Sequence, residues 1–83
     1  MNVVDAAEVL SSEKRVELIR KLDTYGSVSC QELTEVSGVN SVSLHHVHLP
    51  KLTENDVIYK EGDMIIPTDN VAHLVKFIDE FRR

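Results

Sequence analysis

The 83 residues contain one cysteine, two prolines, three glycines and no tryptophan, and the only other aromatic side chains are two tyrosines and two phenylalanines. Each scarcity excludes something. With Cys30 alone, an internal disulfide is impossible, and the chain suits a reducing compartment. No apolar run approaches the ~18 residues that a membrane span requires, so no membrane partner is expected. The N-terminal stretch MNVVDAAEVL has no basic segment, and Asp5 and Glu8 interrupt its apolar residues. No secretion signal is therefore read there, and a cytoplasmic protein is expected. Positive charge is also short, with nine Lys and Arg against fourteen Asp and Glu and a net charge of −5. That balance argues against a strong, non-specific nucleic-acid binder, although local patches matter more than the sum.

Catalytic patterns are missing as well. There is no Cys-x-x-Cys, no His-Glu-x-x-His, no glycine-rich phosphate loop, no defensible Ser-His-Asp spacing and no carboxylate pair in an apolar setting. No catalytic residue, cofactor or metal is assigned, and an enzyme is not expected.

At 42% hydrophobic and 28% charged, the chain has the composition of a globular protein. Its length makes one domain, residues 1–83, without repeat, linker or low-complexity segment. So short a chain buries only ~60–65% of its unfolded surface, and dimerisation is a common way to add burial.

In chain order, Val3–Leu10 reads as a short helix that rests against another surface, such as a second subunit. Ser11-Ser12 offers an N-cap, and Glu13–Thr24 carries Val16, Ile19 and Leu22 at helical spacing, with Leu18 beside them. Gly26 ends this helix. Ser27–Ser29 is long enough only for a bridging strand. Ser29 and Glu32 form a capping box for a helix over Cys30–Ser37 with Leu33 and Val36 inward. Gly38 punctuates, Val39 packs in the turn, and Asn40 or Ser41 caps the next helix. Val57–Tyr59 and Met64–Ile66 are short β-rich runs around Lys60–Asp63, with Gly62 supplying a hairpin turn. Pro67 ends the second strand, and Thr68 or Asp69 caps a last helix over Asn70–Arg82. Its stripe is Val71, Leu74, Val75, Ile78 and Phe81, with Phe77 off to one side.

The chain is organised around Asn40–Leu52, NSVSLHHVHLPKL. At ~100° per residue, Leu49 and Leu52 define its core side, which directs His45 inward with Val42 nearby. His46 and His48 fall on the flanks. Ser43 and Val47 point outward with Leu44, Pro50 and Lys51 around them. Pro50 cannot donate to the carbonyl of His46, so the helix should kink or loosen there.

The order helix, helix, strand, helix, helix, hairpin, helix is that of a mainly α fold with a small β-hairpin wing, the winged helix-turn-helix. Two stretches carry a family resemblance. SSEKRVELIRKLDTYGSVSCQELTEVSGV resembles the opening of ArsR- and MarR-type winged-helix transcription regulators, and LHHVHLPKLTENDVIY resembles their recognition helix running into the wing. His46-x-His48-Leu49-Pro50-Lys51-Leu52 is similar to a run in small winged-helix proteins of halophilic archaea. The resemblance implies a dimeric regulator that binds double-stranded DNA in an archaeal or archaeal-virus cytoplasm.

On that reading Ser41, Ser43, Leu44, His46, Val47 and Lys51 meet bases and phosphates, and Lys60 contacts the backbone from the wing. Val3, Val4, Ala7, Leu74, Phe77 and Phe81 form the homodimer interface. The alternative is a protein-interaction module that uses exposed Leu44 and Val47, a reading favoured by the missing arginine and by the acidic Lys60-Glu61-Gly62-Asp63. His45 and His48 stand i,i+3 and could share an ion, but they lack third and fourth ligands. Lys14, Arg15, Arg20 and Lys21 sit among carboxylates as a solvated mixed face, with a phosphate contact by Arg15 as the lesser use.

Overall fold

The computed structural model describes residues 5–81, the side chain of Phe81 excepted. Asp5 accepts a hydrogen bond from the amide of Glu8 at 3.1 Å and starts α1, Ala6–Val9. Ser12 accepts from the amide of Arg15 at 3.3 Å and starts α2, Glu13–Tyr25. Val16, Leu18, Ile19 and Leu22 form its buried stripe, the spacing a helix needs to cover a core. Gly26, at a φ of 75° that side chains other than glycine resist, donates to Leu22 at 2.9 Å and ends the helix.

β1, Val28–Ser29, leads into α3, Cys30–Ser37. Both arms of the capping box form at 3.0 Å, Ser29 accepting from the Glu32 amide and Glu32 from the Ser29 amide. Gly38 terminates α3 in the left-handed conformation. A continuous helical run follows: α4 (Ser41–Ser43), a π-helical segment (Leu44–His48) and α5 (Leu49–Glu54). The hairpin of β2, Ile58–Glu61, and β3, Met64–Pro67, precedes α6, Asp69–Phe81.

The result is a mainly helical domain with a small antiparallel sheet in the order β1-β3-β2. Ile65 of β3 pairs with Val28 on one side and Lys60 on the other. The turn is tighter than the residues suggested. Lys60 and Glu61 belong to β2, and the pair Glu61–Met64 closes on Gly62-Asp63 alone. The Cys30 amide donates to the Asp63 carbonyl at 3.2 Å and ties the hairpin to the start of α3.

Val9, Leu18, Ile19, Leu22, Leu33, Leu44, Leu52, Val57, Ile58 and Ile65 are fully enclosed. Val16, Leu49, Val71, Leu74 and Ile78 join them. The expected core residues Val16, Ile19, Leu22, Leu33, Leu49 and Leu52 are buried, as are Ile58 and Ile65 of the hairpin, and Val36 is partly so. Val42, at 66% exposed, and His45 are the exceptions. No helix among the described residues is long and apolar enough to cross a membrane.

One expected interface residue stands elsewhere. Leu74 is only 4% exposed and belongs to this chain's own core, because it lies on the same α6 stripe as Val71 and Ile78. Helix α1 likewise turns Val9 into that core rather than toward another chain. Ala7 and Phe77 are exposed. Val3 and Val4 lie outside the described residues, as does the side chain of Phe81.

Candidate functional site

The run from Ser41 to Glu54 presents an open helical face. Asn40 starts it, its side-chain oxygen accepting from the amides of Val42 at 2.8 Å and Ser43 at 3.3 Å. Ordinary α-helical counting back from Leu49 and Leu52 puts His45 and Val42 in the core. Instead the Leu49 amide bonds to the Leu44 carbonyl, five residues back. The turn thus holds one more residue than an α-helical turn, and the inward position moves by one, from His45 to Leu44.

Two causes act together. Pro50 has no N–H, and its ring crowds the His46 carbonyl, which a wider turn relieves. Enclosing the Leu44 side chain is also worth ~1.5–3 kcal/mol, whereas an imidazole in its place would need buried hydrogen-bond partners.

Leu44 is therefore 0% exposed and can touch neither DNA nor a partner, which corrects its expected place on the outer face. Ser43 is partly buried. Ser41, Val42, His45, His46, Val47 and Pro50 form the open face instead. Of the expected contact residues, Ser41, His46 and Val47 are brought together there. Val42 and His45 are the members that helical counting missed.

The cations take unexpected positions. Arg15 is 8% exposed, not solvated. Its Nε donates to the Val9 carbonyl at 2.9 Å, and Nη2 donates to the Glu8 carbonyl and Ser11 Oγ, each at 3.2 Å. The two carbonyls belong to the last turn of α1, whose acceptors lack i+4 partners within the helix. Its Nη1 lies 3.5 Å from Nδ1 of His48, itself 5% exposed. A guanidinium can only donate, so Nδ1 accepts and the His48 proton sits on Nε2. Burial, then the positive charges of Arg15 and Lys14, lower the His48 pKa. The signal was present in the sequence: Arg15 falls three and seven residues before Leu18 and Leu22, on their buried face.

Lys51 is paired with Glu8 of α1. The hydrogen bond and charge of Glu8 raise its pKa. Lys60 is exposed on β2 and borders an open groove of about 350 Å³ with His45, Pro50, Thr53 and Glu54. A second groove, about 390 Å³, also borders His45 and runs past Cys30, Gln31, Glu35, Ser41 and Asp63. Carboxylates thus line both grooves, beside the one cation Lys60. His45 and His48 do not share a site, since one is exposed and the other buried against Arg15. Among the described residues no group of three His, Cys, Asp or Glu side chains converges as metal ligands would.

No family profile matches the chain, and no curated protein is detectably similar to it.

Proposed function

We propose that the chain is a winged helix-turn-helix protein that binds double-stranded DNA as a homodimer and regulates transcription in the cytoplasm of an archaeal or archaeal-virus host. In this reading α3 and the run from Ser41 to Glu54 are the two helices, joined through Gly38, and β2–β3 is the wing. The observation that carries it is the open face of the second helix, capped by Asn40 and free of core packing at Ser41, Val42, His45, His46 and Val47. A helix presented in this way fits the ~12 Å major groove. Serine and histidine there can hydrogen-bond base edges, and the two valines can meet thymine methyl groups. Lys60 reaches phosphate from β2. No catalytic role is assigned.

A second reading is favoured by one specific observation. Val42 and Val47 are 66% and 51% exposed, and the two grooves beside neighbouring His45 carry Glu35, Glu54 and Asp63 against a single cation, Lys60. The same face would suit a protein partner. Selection from random duplex DNA decides between the two. A pseudo-palindromic site that is weakened by His46→Ala supports the DNA reading, with a cost of about 1–3 kcal/mol at one base position. No enrichment, together with a protein partnership abolished by Val42→Asp or Val47→Asp, replaces it with the interaction module.

A further inference from the structure

The proposed DNA-binding surface is short of positive charge, and helix α1 is part of the reason. The cation of α5, Lys51, is held by the Glu8 carboxylate. A second cation next to the helical run, Arg15, is enclosed by the carbonyls of Glu8 and Val9 and by Ser11 Oγ. One four-residue helix and its trailing turn therefore account for both.

Lys51 differs from Arg15 in being accessible. Its side chain is 31% exposed and that of Glu8 is 47% exposed. It also lies in the same helical run, four residues beyond Val47 toward its C-terminal end. Glu8 supplies to Lys51 what a DNA phosphate would supply: a single negative oxygen at the ammonium, on a solvated edge.

We propose that Glu8 is an autoinhibitory phosphate mimic, which keeps Lys51 from the DNA backbone until α1 moves or its carboxylate is displaced. This inference rests on the DNA reading of the same face. The Glu8–Lys51 pair contributes little to folding, because exposed ion pairs are weak. What it sets is the number of phosphates the protein neutralises. Arg15 stays in place when Glu8 loses its charge, because it is bound to the Glu8 backbone carbonyl and not to the carboxylate. Opening the pair thus frees one cation without dismantling α1.

The test measures binding of a fluorescent mixed-sequence duplex against salt for the parent, Glu8→Gln, Lys51→Gln and the double variant. Each neutralised phosphate adds about 0.9 to the log–log salt slope. Glu8→Gln is expected to steepen the slope by about that amount, tightening binding roughly fourfold near 0.2 M salt and roughly fifteenfold near 0.05 M. Lys51→Gln alone should show no steepening of the slope, and the double variant should lose the gain. Thermal melts of all four check that each is folded. A Glu8→Gln gain that survives in the double variant would come from net charge alone and overturns the proposal. An unchanged slope in a variant that still binds DNA also overturns it and leaves the DNA reading intact. If no folded variant binds any duplex, the DNA reading itself fails and the proposal falls with it.

Discussion

A guanidinium in a protein interior is costly unless its N–H groups find acceptors, and Arg15 finds them at the end of α1. Its fourth contact gives His48 a consequence for stability. The folded-state pKa of His48 lies below its ordinary value, through burial first and then Arg15 and Lys14. In the unfolded chain it returns to about 6.5. Below that pH the unfolded chain takes up the proton more readily, so stability should fall as pH is lowered through about 6.5 and level off below the folded-state value. Above 6.5 the contribution is fully present. One group limits the slope to about 1.4 kcal/mol per pH unit. Urea titrations across pH 5 to 8, run on the parent and His48→Gln, measure it. Glutamine can still accept from Arg15 but does not titrate, so the variant should show a flatter profile. Equal profiles for the two proteins would remove His48 from the account.

At the scale of elements, the π-helical segment decides what the domain displays. Its wider turn buries Leu44 and exposes Val42 and His45. Leu44→Ala should therefore cost about 2–5 kcal/mol, which threatens a domain this small. Val42→Ala should stay within about 0.5 kcal/mol, as surface substitutions do. Chemical denaturation of the two variants compares them directly. An uninterrupted α-helix would reverse the order, with Val42 as the costly site. The hairpin shows the same dependence on a local detail, since closing the turn at Gly62-Asp63 places Lys60 inside β2, level with Ile65. Lys60 consequently borders the groove beside His45 rather than standing at a tip.

For the whole molecule, the question is how a domain of this size is stabilised. Phe77, 46% exposed on α6, and Ala7, exposed on α1, are the apolar positions that the homodimer reading retains among the described residues. Leu74 is not among them. A two-fold contact through α6 would present two copies of the open helical face, suited to half-sites about one DNA turn apart. Sedimentation of the parent at tens of micromolar, roughly the range in which a weak dimer still holds, should report a dimer, and Phe77→Glu should report a monomer. A monomeric parent would leave DNA binding to single sites and remove the expectation of a palindrome.

The elements themselves were legible without coordinates, because local chemistry specifies them. Ser12, Ser29 and Asn40 cap helices as their side chains dictate, Gly26 and Gly38 end them through positive φ, and Gly62 turns the hairpin. The stripe of α2 was equally plain, since its helical period is unbroken. The face of the central run was not. Pro50 announced a disturbance, but whether the helix would kink, fray or widen depended on which side chain the core could enclose. That choice, Leu44 over His45, belongs to contacts with residues far away in the chain. Arg15 and Lys51 show the same limit. Composition counts them as free cations, and only the docking of α1 engages one with backbone carbonyls and the other with a carboxylate. Local sequence determines where a helix starts, where it ends and which period it follows. Where that period slips by one residue, and which charges remain available at the surface, are settled by packing, because each depends on what another element brings alongside.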